Sequence, residues 1–110
     1  MRYMKNVGDT GENFAADLLT NQGFKVIERN YRTKAGEIDI IAIKNGVLHF
    51  VEVNTRTGDQ YGYPSEAVTE KKQIRIKRAA EQYLQSRRMN WNKLSFDVYE
   101  RMTELIEDCM

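Results

Sequence analysis

The amino-acid sequence predicts an α/β fold with the element order αβββαβ. Two observations support this fold class. Apolar residues recur with helical spacing in two segments, 9–22 and 69–88. Strand-like apolar segments occur four times, over residues 24–31, 37–43, 47–54 and 93–100. A chain of 110 residues can bury one modest core, so we expect a single domain over residues 1–110.

Each predicted helix has a recognisable start. Asp9 is expected to be the N-cap of the first helix, with Glu12 three residues later in the capping-box position. Thr69 is expected to cap the second helix. Both helices have an apolar stripe that can face a core, composed of Phe14, Ala15, Leu18 and Leu19 in the first and Ile76, Ala79, Ala80, Tyr83 and Leu84 in the second.

The connections between the predicted strands determine how the strands pair. Asn45-Gly46 separates the second strand from the third and is a strong signal for a type I′ hairpin. The first three strands should therefore form an antiparallel meander. The long helix before the fourth strand favours a parallel crossover. Because the two middle strands are apolar on both faces, we expect a mixed central sheet with a helix on each side.

Charge and composition narrow the function classes. The net charge is only +1, but residues 70–88 are strongly basic, and this asymmetry is a weak indication of an anionic partner. We find no apolar run that could span a membrane and no signal peptide, so a cytoplasmic location is expected. Cys109 is the only cysteine, which excludes an internal disulfide and a cysteine cluster for zinc.

Two carboxylates are predicted to oppose each other in the central hairpin. A type I′ turn at Asn45-Gly46 places Asp39 opposite Glu52, with Glu37 and Asn54 further along the same face. Such a pair repels and requires a proton, a cationic side chain or a metal. Oxygen ligands suit Mg²⁺ or Mn²⁺. Two other readings stay open, namely that both carboxylates are solvated at a strand end, or that a bulge breaks the register.

Several segments together resemble a known family. These stretches are Gly11-Glu12, residues 36–42, residues 50–53 with Thr55-Arg56, Gly62-Tyr63-Pro64, Glu66-Ala67-Val68 and Lys72-Gln73. With them the chain is similar to the YraN-like family of the restriction-endonuclease-like superfamily, which is related to Holliday junction resolvases, and the resemblance extends from Gly11 to about Tyr99. That family has an αβββαβ core, in agreement with the order read from periodicity.

The resemblance implies a metal site and one departure from the family pattern. By resemblance, Asp39 and Glu52 ligate Mg²⁺ together with the carbonyl of Val53, and Glu12 approaches from the first helix. The superfamily motif has a lysine two residues after the glutamate, where this chain has Asn54. Asparagine can orient a water but cannot act as a base at neutral pH. Hydrolysis is therefore expected to be weakened or lost unless Arg56 or Lys72 replaces the missing cation.

The resemblance therefore implies a metal-dependent, nuclease-like protein that acts on DNA, with branched or structured DNA as an expected substrate. The expected nucleic-acid contacts are Arg56, Lys72, Gln73, Arg75 and Tyr61, although loop tyrosines more often only pack the loop. His49 is expected to be structural. Two alternatives are a non-catalytic nucleic-acid-binding module and a protein-interaction scaffold. The oligomeric state stays open, and a homodimer is one alternative because resolvases act on two strands.

Overall fold

The computed structural model describes residues 7–54, 68–100 and 105–110, which form two helices and five strands. Their order confirms the predicted α/β fold, with one short strand added after the last predicted one. The elements are α1 (Val7–Asn21), β1 (Lys25–Arg32), β2 (Glu37–Lys44), β3 (Val47–Asn54), α2 (Glu70–Ser86), β4 (Leu94–Glu100) and β5 (Leu105–Ile106).

The strands form one mixed sheet in the order β1-β2-β3-β4-β5. Strands β1, β2 and β3 pair antiparallel, β3 and β4 pair parallel, and β5 pairs antiparallel with β4. Both the meander and the parallel crossover that contains α2 were predicted from the lengths of the connections. The strand β5 was not predicted, because two residues are too few to give a period.

The β2–β3 hairpin has the predicted turn and register. Asn45 and Gly46 both have positive φ, 53° and 78°, as a type I′ turn requires. From this turn the ladder runs from Lys44 opposite Val47 to Ile40 opposite Val51 without a shift. The turn therefore fixes which residues of β2 and β3 meet at the far end of the hairpin.

A hydrophobic core lies against each helix. Leu48 and Phe50 of β3 belong to the cluster that contains the buried face of α2, whereas Val51 and Val53 belong to the cluster that contains α1. This confirms that both faces of the sheet are covered. The predicted stripe of α2 is buried at Ile76, Ala79, Ala80 and Tyr83, with Leu84 partly buried beside it.

The two helix starts differ from one another in how well they were predicted. Thr69 caps α2, and its side chain accepts a hydrogen bond of 3.1 Å from the amide of Lys72. The prediction that Asp9 caps α1 is wrong, because α1 begins at Val7 and Asp9 therefore lies within its first turn. Glu12 is consequently not a capping-box residue, and its side chain is buried in the protein instead. In the described part of the chain, neither helix is long and apolar enough to cross a bilayer.

Candidate functional site

Asp39 and Glu52 lie close together at the end of the β2–β3 hairpin away from the turn. The regular ladder ends at Ile40–Val51. Beyond it, the side chain of Asp39 takes the place of a backbone acceptor, and its Oδ2 accepts a hydrogen bond of 2.8 Å from the amide of Val53. This bond holds the Asp39 carboxylate against β3, near enough for the charge of Glu52 to act on it.

The electrostatics of this site show how closely the carboxylates are grouped. The pKa of Asp39 is raised from its ordinary value of 3.8 to about 7, chiefly by burial and then by the negative charge of Glu52. The hydrogen bond from Val53 opposes this rise, and the charges of Glu12 and Glu37 add smaller contributions to it. Glu52 and Glu12 are themselves only 9% and 3% exposed. The site is thus a partly buried cluster of acids in which one carboxyl holds a proton near neutral pH.

Two cations from other elements offset part of this negative charge. Lys72 of α2 places its Nζ 2.5 Å from Oε2 of Glu52. Arg29 of β1 places its Nε 3.4 Å from Oε2 of Glu12. The sequence indicated Lys72, but Arg29 was missed, because only the packing of β1 against α1 brings it near Glu12. Its one available signal was its position in the strand that pairs with β2, opposite Ile40.

The donor set of the site suits a hard divalent cation. Asp39 and Glu52 carry carboxylate oxygens, and Val53, whose carbonyl the family resemblance adds to the set, contacts Asp39 through its amide. Among the described residues, no three His, Cys, Asp or Glu side chains are grouped to hold a metal ion. Within the part of the chain that the structure describes, the remaining coordination positions are therefore left to waters or a phosphate. Mg²⁺ is usually held in this way, by one or two carboxylates together with waters and substrate oxygens.

A basic cleft of about 520 Å³ adjoins the carboxylates. Four cationic side chains line it, namely Arg32 and Lys71, Lys72 and Arg75 of α2. Glu37 also lines it and forms an ion pair of 3.2 Å with Arg32. The turn between β1 and β2 closely approaches α2 here, since a Cβ at Gly36 would lie 2.8 Å from the carbonyl oxygen of Arg75. Lys72 therefore belongs both to the cleft and to the carboxylate cluster.

The remaining predicted site residues have different surroundings. Asn54 is the last residue of β3, at the same end of the sheet as Glu52, and pairs with Glu100 of β4. Gln73 does not line the basic cleft. Its side-chain amide donates a hydrogen bond of 3.0 Å to the carbonyl of Val68, which is a structural contact. Arg56 and Tyr61 lie outside the described residues.

His49 belongs to a second buried polar cluster. Its Nδ1 lies 2.7 Å from Oδ2 of Asp97, which is fully buried. The other oxygen of Asp97 accepts hydrogen bonds from the hydroxyl of Ser95 and the amide of Asp108. The cluster ties β3 and β4 to the segment that follows β5. The sequence did not indicate Asp97, because a single acid in an alternating strand normally faces solvent.

The fold and the site define an α/β protein with a mixed sheet and a charged site at the end of its central hairpin. A family model described as "Uncharacterised protein family UPF0102" matches residues 11–100. The chain belongs to this family, which confirms the resemblance to YraN-like proteins.

Curated relatives agree with this assignment. The chain is similar to a UPF0102 protein of Alkaliphilus oremlandii, with 50% identity over 106 residues, covering 94% of this chain and 88% of the relative. It is 45% identical over 94 residues to one of Dictyoglomus thermophilum, covering 86% and 80%. A UPF0102 protein of Syntrophotalea carbinolica is 48% identical over 99 residues, covering 89% and 80%.

Proposed function

We propose that this protein binds a divalent metal at Asp39 and Glu52 and acts as a nuclease-like protein on DNA. The observation that carries the proposal is that an acidic cluster lies next to a basic cleft. A cluster of partly buried carboxylates adjoins a cleft lined by four cations, and Lys72 belongs to both. Phosphodiester chemistry needs this pairing, because the cations bind the phosphates and the carboxylates hold the metal.

Each residue has a distinct role in this proposal. Asp39, Glu52 and the carbonyl of Val53 hold Mg²⁺ or Mn²⁺. When bound, such a metal lowers the pKa of a coordinated water and neutralises the charge that develops on the phosphate. Lys71 and Arg75 hold the DNA backbone in the cleft. The hydrogen bond from Val53 to Asp39 orients the carboxylate before any ligand arrives.

A second candidate is a DNA-binding module without catalysis. It is supported by Asn54, which stands where the superfamily motif has a lysine. An amide can orient a water by hydrogen bonding but cannot remove its proton. In this version the metal and the cleft serve to bind DNA without cutting it. A third reading, a protein-interaction scaffold, requires neither metal nor DNA.

The test is cleavage of labelled linear, flap and four-way-junction DNA with Mg²⁺ or Mn²⁺. The native chain is compared with Asp39→Asn and Asn54→Lys. The first variant removes a charge but keeps an oxygen that can accept the hydrogen bond from Val53. Asp17→Asn, an exposed residue of α1, is the matched control. We expect cutting or metal-dependent DNA binding by the native chain and the control, and its loss in Asp39→Asn.

The outcomes separate the candidates. Cutting that depends on Asp39 establishes a nuclease and shows that another group replaces the motif lysine. Cutting only after Asn54→Lys indicates a nuclease site that lacks one group, and therefore supports the binding module. If no form binds DNA at low salt, both nucleic-acid proposals are refuted and the scaffold remains.

A further inference from the structure

Lys72 is placed between two sites that need a cation under different conditions. Its Nζ lies 2.5 Å from Oε2 of Glu52, and its side chain also lines the basic cleft. Lys71 and Arg75 line the same cleft. Arg29, the other cation of the carboxylate cluster, interacts with Glu12 and does not line the cleft. Among these four cationic side chains, Lys72 is thus the one that both pairs with Glu52 and lines the basic cleft.

A metal at Asp39 and Glu52 would compete with this ammonium group. The ammonium already neutralises the same carboxylate that the metal needs, and two cations on one carboxylate repel each other. Lys72 is the more exposed partner of the ion pair, because its side chain is 49% exposed whereas that of Glu52 is 11% exposed. A lysine has a flexible stem that can redirect its charge, so leaving Glu52 for the cleft requires only rotation about side-chain bonds.

We propose that Lys72 is an exchangeable cation that couples metal binding to phosphate binding. Without metal it neutralises Glu52, and when a divalent metal binds Glu52 it moves into the cleft and binds a phosphate of the nucleic acid. The inference rests on the proposed metal site and adds to it a mode of regulation. Because coupling between two ligands is reciprocal, metal tightens DNA binding and DNA tightens metal binding. The acidic site is also kept neutralised while no metal is present.

The first test measures metal binding without DNA. Isothermal titration with Mn²⁺ compares the native chain, Lys72→Met and Lys71→Met. Both variants lose one positive charge in the same turn of α2, but only Lys72 contacts Glu52. We expect Lys72→Met to bind Mn²⁺ about three- to tenfold more tightly than Lys71→Met, because the competing ammonium is gone. Equal affinity of the two variants, or weaker binding by Lys72→Met, refutes the exchange.

The second test measures how much metal tightens DNA binding. Fluorescence anisotropy of a labelled duplex is recorded with and without Ca²⁺, a hard cation that is used here to leave the DNA intact. The bound ion adds the same charge to every variant, so a difference in the gain reports the movement of Lys72. We expect a gain about three- to tenfold smaller in Lys72→Met than in Lys71→Met. Equal gains refute the coupling.

Asp39→Asn distinguishes failure of this inference from failure of the metal site. If the native chain binds Mn²⁺, Asp39→Asn does not, and Lys72→Met matches Lys71→Met, the metal site stands and the exchange is wrong. If native chain and Lys72→Met both fail to bind Mn²⁺, the metal site and the exchange are both refuted. Circular dichroism of each variant verifies the fold, which the exposed side chains of Lys71 and Lys72 are not expected to affect.

Discussion

Replacing Asp39 with asparagine should remove a specific dependence of stability on pH. Burial and neighbouring acids raise the pKa of Asp39 to about 7 in the folded protein, against an ordinary value of 3.8. The folded state therefore retains a proton that the unfolded state has already lost. The stabilisation from this proton is complete below the unfolded pKa and disappears as the pH rises through the folded pKa.

The magnitude follows from linkage between the two pKa values. Between about pH 5 and about pH 8, the native chain should lose about 2–3 kcal/mol of unfolding free energy through Asp39 alone. Asp39→Asn cannot titrate, yet its amide oxygen can still accept the hydrogen bond from Val53. The unfolding free energy of the variant, measured relative to that of the native chain, should therefore increase by about 2–3 kcal/mol as the pH rises over this range.

Urea unfolding at several pH values, in a buffer with a chelator to exclude metal, measures this difference. Subtracting the variant from the native chain cancels the titrating groups that do not interact with Asp39, so the difference reports Asp39 together with the acids beside it. Asp17→Asn, which removes an exposed carboxylate from α1, should follow the native chain at all pH values. A native-minus-variant difference that stays constant across this pH range would refute the assignment of a raised pKa to Asp39.

Three further predictions test the packing and the cleft. Gly36→Ala should destabilise the fold by about 1–3 kcal/mol in urea unfolding, because the new Cβ would lie 2.8 Å from the Arg75 carbonyl oxygen; a neutral effect would contradict this close approach. His49→Ala should cost about 2–4 kcal/mol, because it removes the group 2.7 Å from the buried Asp97 carboxylate; a thermal midpoint equal to that of the native chain would contradict it. Lys71→Met should reduce, by about 1, the slope of the logarithm of DNA affinity against the logarithm of salt concentration. An unchanged slope would show that the DNA phosphates do not bind at Lys71.

The β2–β3 hairpin could be predicted from the sequence because its determinants are local. Asn45-Gly46 fixes the turn, the turn fixes the register, and alternation then brings Asp39 and Glu52 to the same face. The cap of α2 at Thr69 was predicted for the same reason, since a cap depends on a few adjacent residues. Both features are thus readable from local spacing, although the same kind of signal misplaced the start of α1.

The parts that the sequence did not reveal depend on packing between distant segments. The pairing of Arg29 with Glu12 requires β1 to lie against α1, and no spacing rule connects residues so far apart in the chain. The start of α1 was misplaced because Asp9 resembles a cap in isolation, although the helix extends to Val7. The sequence did not single out Asp97, because its burial depends on β5 and the residues after it.

Asp97 and Asp39 differ in how well their surroundings compensate their negative charge. Asp97 is fully buried and accepts hydrogen bonds from Ser95 and Asp108 while pairing with His49, so its partners lie within the fold. Asp39 is surrounded by other acids, and the amide of Val53 opposes their effect without preventing a large rise in its pKa. A protein with apolar residues at such a position would often be as stable or more stable. A carboxylate whose ionised form opposes folding is consistent with the cation site proposed above.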